Sequence, residues 1–411
     1  MSRTELAKVQ CNGLRRVVEH AYKYVPFYRR MYDEAGVSPS KILDLDSIAK
    51  LPVIDKSQLR STSLEERTAS DVNIKACTQL TTSGMTGPPV TVLEDQYSAT
   101  IRDALTFRYL WAYGVRPGNR ICRLSLNPRT GTGVDRLADQ SGLYGFIRRK
   151  SSKQLSWATD INSHIDFFST WKPDVIISSP SYYRALARVC ETTGRSILFK
   201  KIISSFEMLD LSTRKLLEEK FNAEVFDHYG TEETGPLAWE CPTHSGYHIN
   251  SDSVIMEFLS GGEPVAQGNQ GEVHVIAFHR LATPVIRYCT DDVAVPSDDD
   301  CSCGRNLPMI KAIEGRIYDF ILTTDGRHIS PWSIIYRLER FAHLDQYKII
   351  QERDLSIMVL LKTADPPTNQ ALKDIEQGCK DLFGETPFRL ELTDRIEEKH
   401  KFRPVESHAI S

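Results

Sequence analysis

Four short segments carry residue types that could do chemistry together. "TTSGMTGPP", Thr81 to Pro89, holds two glycines, four hydroxyls, two prolines and no charge. Backbone N–H groups in a glycine-rich turn converge on an anion, and hydroxyls add donors. Thr81, Thr82, Ser83 and Thr86 supply the hydroxyls, and Gly84 and Gly87 allow the tight backbone. "YGTEETG", Tyr229 to Gly235, puts an aromatic ring, two glycines and two carboxylates just after a predicted strand. Such a ring can stack on a base, and a carboxylate can hold a magnesium ion that bridges phosphates. "PVIRYCTDD", Pro284 to Asp292, places an arginine and paired aspartates after an apolar turn, and "EGRIYDF", Glu314 to Phe320, adds a second arginine. Taken singly, the first segment reads better as a structural turn and each of the others as a salt-bridged one.

A second set of residues suits a metal. "ECPTHSGYHIN" carries Cys241, His244 and His248, and "CSCGRN" carries Cys301 and Cys303. Soft thiolates and imidazole in tetrahedral number suit zinc. The expected ligands are Cys241, His248, Cys301 and Cys303, with His244 as the substitute histidine. A closed set of four is structural and not catalytic. The other reading is a group of unlinked reduced cysteines and a surface histidine. The remaining cysteines, at 11, 77, 122, 190, 289 and 379, are expected in the core.

The elements that must position these segments emerge from periodicity. Leu6, Val9, Leu14, Val17, Val18 and Ala21 sit near helical spacing, and Pro26 and Pro52 break the next two segments of the chain. "RICRLSL" at 120–126, "DVIISS" at 174–179, "KKIISS" at 200–205 and "AEVFDHYG" at 223–230 read as buried strands. A helix from about Thr213 to Phe221 lies between the last two, with Leu216, Leu217 and Phe221 on one side. Alternating strands and helices argue for a parallel sheet, with ligands beyond the C-terminal strand ends. After residue 319 the rhythm becomes ββαββαβ, in which Ile357, Val359 and Leu361 alternate as in a half-buried strand. The expected fold class is α/β: a large N-terminal domain with mixed or parallel sheets (1–318) and a small α+β domain (319–411), with a hinge near Arg316–Asp319. Phe226, Tyr182 and Tyr183 read equally as acyl-pocket lining and as core.

Bulk properties exclude several classes. The chain has 411 residues, 41% apolar and 26% charged, with a formal net charge of −3. Nothing in that balance points to a nucleic-acid partner. No apolar run is long enough to cross a bilayer, and "MSRTELAKVQ" lacks the core of a signal peptide, so the expected compartment is the cytoplasm.

In this order and at these separations, the four motifs resemble those of the adenylate-forming superfamily, which includes the acyl-CoA synthetases. The opening, "YVPFYRRMYDEAG" followed by "LPVIDKSQLR", looks like that of phenylacetate–coenzyme A ligases and the capsule-biosynthesis proteins similar to them. The likeness runs from about Tyr24 to about Pro331 and weakens afterwards. It implies that Thr82, Ser83, Gly84, Thr86 and Gly87 cradle the ATP phosphates and that Tyr229, followed by Gly230, stacks on adenine. It also implies that Glu233 binds magnesium, that Asp292 bonds the ribose, and that Arg316 and Glu207 lie near the nucleotide. Lys401, in "KHKFRPV", matches the lysine that stabilises the adenylation transition state. The subfamily often carries the Cys…His…Cys-x-Cys pattern, and dimers are common among the resembling proteins.

The implied reaction is ATP- and magnesium-dependent activation of a carboxylic acid, an aromatic one for this subfamily, followed by transfer to coenzyme A. An amine or carrier-protein acceptor, or a degenerate homologue that binds nucleotide without catalysis, are the alternatives. Relatives of the capsule type leave room for the other acceptors, and departures from the family pattern, Pro88, Tyr318 and His400 among them, for the degenerate homologue. Pro88 stands where the family loop carries lysine, Glu232 where serine or threonine precedes the magnesium glutamate, Tyr318 at the hinge, and His400 where glycine precedes the lysine.

Overall fold

Short polar caps start most of the helices. The structure, a computed structural model, describes residues 1–82, 88–125, 151–157, 159–338, 344–363, 366–396 and 403–409. Ser2 and Glu5 form a capping box at the head of α1 (Arg3–Tyr24). Pro26 sits in the first turn of α2 (Pro26–Glu34), where its missing N–H costs nothing. Asp55 and Gln58 box the start of α3 (Lys56–Ser61). Side chains of Asp95, Asp160, Ser179, Asp210 and Thr368 cap α4 (Gln96–Ala112), α5 (Ile161–Trp171), α6 (Pro180–Thr192), α7 (Leu211–Phe221) and α9 (Asn369–Phe383). Between the last two lies α8 (Pro331–Leu338).

The strands are β1 (Thr78–Thr81), β2 (Thr91–Glu94), β3 (Ile121–Ser125), β4 (Ser152–Ser156), β5 (Val175–Ser178), β6 (Lys201–Ser204) and β7 (Glu224–Thr231). They continue with β8 (Gly235–Glu240), β9 (Tyr247–Ile249), β10 (Val254–Ser260), β11 (Glu263–Pro264), β12 (Gly271–Ala277), β13 (Val285–Ser297) and β14 (Met309–Arg316). The last six are β15 (Ile321–Leu322), β16 (His328–Ile329), β17 (Leu344–Gln351), β18 (Ile357–Thr363), β19 (Phe388–Leu392) and β20 (Val405–Ser407).

The chain divides into two units, the first made of Met1–Ser156, Phe226–Thr290 and Val295–Ala312. In it β3 and β4 run parallel, Ile121 opposite Ser152. Antiparallel pairs there are β1 with β2, β7 with β8, β8 with β9, β9 with β14, and β10 with both β11 and β12. Its core includes Leu14, Val17, Val18, Tyr28, Phe226 and Trp239. The second unit is Trp157–Val225, Asp291–Ala294 and Ile313–Ser411. There β5 and β6 run parallel, Val175 opposite Lys201, and the Tyr183 hydroxyl from α6 donates to the carbonyls of Ile176 and Ile203. Its C-terminal part holds the hairpin β15–β16 and a four-stranded sheet in the order β19-β18-β17-β20. Ile357, Val359 and Leu361 are buried there with Ile349, Ile375 and Phe383.

Sequence periodicity placed α1, α7, β3, β5, β6, β7 and the elements from β15 to β19, and left the other elements unread. Val9 and Leu216 are exposed although the apolar pattern assigned them to buried faces. A helical stripe has edges, and residues at its edge meet solvent whenever the neighbouring surface is narrow. Antiparallel pairing begins where β7 meets β8, through the hairpin whose tip is residues 232–234. The closing strand β20 pairs in parallel with β17, Ile349 opposite Val405, and carries no alternating pattern long enough to read. Phe226 and Tyr183 are core residues, and Tyr182 bonds the His164 ring at 3.0 Å.

Burial sets the pH response of the first unit. His279 is 1% exposed, and burial, with Arg280 beside it, pushes its imidazole down to about 3. Below about 6.5 the unfolded chain takes up a proton that the folded ring refuses. Stability therefore falls as pH drops from about 6.5 toward about 3, and His279 contributes up to about 1.4 kcal/mol per pH unit. Denaturant melts at pH 7.5, 6 and 5 should show this slope, and His279→Asn should flatten it; an unchanged slope would remove His279 from the account.

Candidate functional site

The hairpin β7–β8 presents the acidic turn. Gly230 pairs with Pro236 and Thr231 with Gly235, so residues 232–234 form its tip. "YGTEETG" is thus a hairpin whose first three residues still belong to the strand, not a loop beyond it. Gly230 is required there, because a Cβ would lie 2.6 Å from the Gly235 carbonyl oxygen. Gly235 itself has φ +80, the left-handed region. The Thr231 and Thr234 hydroxyls meet at 2.9 Å, and the Thr234 N–H donates to Thr231 Oγ1 at 3.1 Å. Tyr229 lies buried at the end of β7.

Glu233 is buried at this tip, 4% exposed. Its Oε1 accepts the Tyr288 hydroxyl at 3.0 Å and lies 3.5 Å from Lys56 Nζ. Lys56 opens α3 directly after the capping Asp55, and an isolated parallel bridge aligns Ile54 with Tyr288. One carboxylate oxygen is engaged, and Oε2 takes no hydrogen bond from the described residues. One hard oxygen ligand from the protein, with phosphates and water completing the shell, is the usual donor set for magnesium. Lys56 and Tyr288 carry no signal of their own by type. They sit inside segments quoted for the family likeness, and only the fold brings them to Glu233.

The turn is braced from below. Arg280, fully buried, donates to Glu94 Oε1 at 3.1 Å and to the Glu232 carbonyl at 3.2 Å. Arg102 also binds Glu94. Glu94 ends β2, so the same ion network reaches the hairpin that leads into and out of "TTSGMTGPP". In that hairpin Thr82 is buried, donating its N–H to Val90 O at 3.0 Å and accepting from the Val90 N–H at 2.9 Å. Ser83, Gly84, Thr86, Gly87 and Lys401 lie outside the described residues. The Pro88 carbonyl accepts from Arg60 Nε at 2.9 Å.

The remaining nucleotide candidates belong to the second unit. Asp292 forms an ion pair with Arg316 at 3.6 Å. Glu207 accepts from the Ser181 N–H at 3.1 Å and from its hydroxyl at 2.8 Å. Ser330 donates to Glu314, and Arg403 pairs with Asp319, so the segment read as a hinge carries two further polar ties.

Cys241, His248, Cys301 and Cys303 come together in the first unit, their donor atoms all within 4.8 Å of one another. Cys241 Sγ lies 3.3 Å from Cys301 Sγ, and His248 Nε2 lies 3.2 Å from Cys303 Sγ. Cys241 follows β8 and His248 lies on β9. The Cys301 carbonyl accepts the Gly304 N–H at 3.0 Å, and Gly304 has φ +76, so the Cys-x-Cys-Gly turn closes as that spacing requires. Burial pushes the His248 imidazole down to about 4, which keeps its lone pair free at neutral pH. Burial alone would raise the Cys301 thiol. Hydrogen bonds from Ser245, the Cys303 backbone and the neighbouring thiols outweigh it and bring that thiol down to about 6. This donor set fits a four-coordinate borderline-soft ion. His244 is not part of it: its ring turns to Glu240 Oε1 at 2.9 Å and stacks on Phe226. Cys122, Cys190 and Cys379 are core residues as expected, whereas Cys11, Cys77 and Cys289 are only partly buried.

No family model matches the chain. The phenylacetate-coenzyme A ligase of Escherichia coli is 27% identical over 379 residues, 87% of this chain and 83% of that protein. The phenylacetate-coenzyme A ligase of Thermus thermophilus is 26% identical over 349 residues, 81% and 75% of the two chains. Among solved structures, a 2-hydroxyisobutyryl-CoA ligase in the postadenylation state with an acyl-AMP aligns with a TM-score of 0.83 at 22% identity, covering 98% of this chain and 90% of that one. An anthranilate CoA ligase, AuaEII, in complex with anthranoyl-AMP aligns at 0.57 and 14% identity, covering 88% and 74%. At such identities the structural likeness is one of fold, and the fold is that of adenylate-forming CoA ligases. Among the described residues no helix is long and apolar enough to cross a membrane.

The hairpin makes a direct prediction. Gly230→Ala should push the turn off the Gly235 carbonyl and cost about 1–3 kcal/mol of stability, the usual range for overpacking. Urea unfolding measures the loss, and a change under about 0.5 kcal/mol, the scale of neutral surface substitutions, would show that the turn yields freely.

Proposed function

We propose that this chain, a homologue of the phenylacetate-CoA ligases, is an AMP-forming acid–thiol ligase that activates an aromatic carboxylic acid with ATP and passes it to coenzyme A. The observation that carries the reading is Glu233, buried and braced at a hairpin tip beside a lysine, in a chain whose curated relatives over most of its length are such ligases. The acid's carboxylate oxygen attacks the α-phosphorus of ATP and pyrophosphate leaves. The thiol then attacks the acyl carbon, and AMP leaves with the bonding electrons. Charge grows on phosphoryl oxygens in the first step and must be met by cations already in place.

Magnesium, when bound, supplies Lewis-acid compensation of that charge. Glu233 would hold it, with Tyr288 and Lys56 engaging one of its carboxylate oxygens. Tyr288 fixes the carboxylate's orientation. Lys56 supplies a positive charge beside Glu233, where Pro88 leaves the glycine-rich loop without its own lysine. Thr82 with Ser83, Gly84, Thr86 and Gly87 cradles the phosphates, Tyr229 with Gly230 faces the adenine, and Asp292 takes the ribose hydroxyls. Arg316 and Glu207 complete the nucleotide contacts, and Lys401 meets the transition-state charge. Residues 319–411 move about Arg316–Asp319 between the half-reactions. Cys241, His248, Cys301 and Cys303 hold a structural zinc that ties the segment after β8 to the loop before β14.

Incubation with ATP, magnesium and a panel of carboxylic acids, with and without coenzyme A, tests the reading. Acid-dependent pyrophosphate release and thioester formation are expected, with aromatic acids preferred. Pyrophosphate without thioester would move the acceptor to an amine or a carrier-protein thiol. ATP binding with silence across the panel would make the chain a non-catalytic homologue. Glu233→Gln and Lys401→Ala should each slow adenylation by about 10²-fold or more. ATP binding to Lys401→Ala should stay nearly intact. Protein never exposed to chelator should carry one tightly held equivalent of zinc, which Cys303→Ser should lose. Less than half an equivalent in the parent protein counts against the zinc site.

A further inference from the structure

A second group of metal-ligating side chains lies on the first unit, apart from the four-residue cluster. Glu272 and His274 stand two residues apart on β12 and so share one face of the sheet. Cys289 comes from the neighbouring strand β13. Donor atoms of the three lie within 4.8 Å of one another.

The histidine is the telling member. His274 is 6% exposed, and its buried Nδ1 has no hydrogen-bond partner. The Nε2 atom lies 3.8 Å from Glu272 Oε2, beyond hydrogen-bond reach. A buried imidazole nitrogen with no hydrogen-bond partner is costly, because such groups are normally satisfied. A separation of 3.8 Å is instead close to that of two ligands on one tetrahedral ion, whose bonds are about 2.0–2.3 Å.

Charges around the trio permit a cation. Arg287, two residues before Cys289 on β13, is a positive group whose charge reaches the His274 ring. Its guanidinium is taken up by Glu257 at 3.1 Å and by the carbonyls of Ala49 at 3.0 Å and Leu51 at 2.6 Å. Glu257 stands opposite His274 on β10, so the arginine is neutralised within the same patch. Arg287 adopts φ +50, which strand residues avoid, and its side chain makes all of those bonds from that strained backbone. Glu272 keeps 39% of its side chain exposed, which leaves the site an opening to solvent.

We propose that Glu272, His274 and Cys289 form a second divalent-metal site, for zinc or a similar borderline ion, with a fourth position open to water. On binding, the Cys289 thiol releases its proton to solvent, and the thiolate and carboxylate balance the two charges of the ion. Three protein ligands with an open position distinguish it from the closed cluster of Cys241, His248, Cys301 and Cys303.

Cobalt(II) titration of the intact chain tests this. Thiolate-to-cobalt absorption and metal retained after gel filtration are the readouts. Counting resident zinc and bound cobalt together, two equivalents are expected for the parent protein, and one each for His274→Ala and Cys289→Ser. Cys303→Ser should lose the other equivalent and keep the His274-dependent one, which separates the two sites. Glu272→Gln should weaken the second equivalent by about tenfold or more without touching the first, as a lost ligand does. A titration that ends at the same stoichiometry in the parent, His274→Ala and Cys289→Ser would overturn the proposal. Cys289→Ser changes one atom in a partly buried side chain, so the test survives if the histidine variant fails to fold.

Discussion

A single buried guanidinium fixes the chemically loaded turn of the first unit to the hairpin beside it. Arg280 reaches Glu94 at the end of β2 and the Glu232 carbonyl at the tip of β7–β8. Breaking a buried pair of this kind costs about 3–5 kcal/mol, because the abandoned charge stays out of water. The Leu93 N–H is also held, by the Thr283 hydroxyl at 2.9 Å, three residues along from Arg280. Strand end, hairpin tip and the segment leading into β13 are therefore one polar unit inside an apolar core. The position of Glu233 depends on that unit as well as on its own turn.

The cation beside Glu233 arrives by a different route. Ile54 exchanges backbone bonds with the Arg287 carbonyl at 3.1 Å and the Cys289 N–H at 2.8 Å. Two residues on, the capping box of Asp55 and Gln58 turns the chain into α3 with Lys56 at its first position. A short backbone bridge and a helix cap thus deliver the Lys56 ammonium to Glu233, a carboxylate far along the sequence. Tyr288, the residue aligned with Ile54, delivers the hydroxyl. The same strand puts Cys289 on its neighbouring position, so β13 serves both the acidic turn and the Glu272–His274 face. Its unusual backbone at Arg287 is held there by bonds to two carbonyls and one carboxylate.

Local signals explain why so many elements were legible. The helical spacing of Leu6, Leu14, Val17, Val18 and Ala21, the break at Pro26 and the apolar alternation at 357–361 act within a turn or two of chain. The spacing of Cys241, His248, Cys301 and Cys303 was legible because ligand type and number are chemical properties of the residues. His244 was the substitute candidate in sequence. Its exclusion depends on Glu240 and Phe226, which claim its ring.

The residue types, their order along the chain and the short-range periods were sufficient for the fold class, for the strands and helices named from periodicity, and for the grouping of Cys241, His248, Cys301 and Cys303. Tertiary structure alone decided that β7, β8 and β9 pair antiparallel, that Val9 and Leu216 face solvent, and that β20 closes the last sheet. It also decided that Lys56, Tyr288 and Arg280 serve the Glu233 turn, and that His274 lies buried beside Glu272 and Cys289. Periodicity reports which face of an element is apolar, because that depends on neighbours a few residues away. Which charge meets which carboxylate depends on strand pairing between distant segments, and no local pattern encodes that pairing.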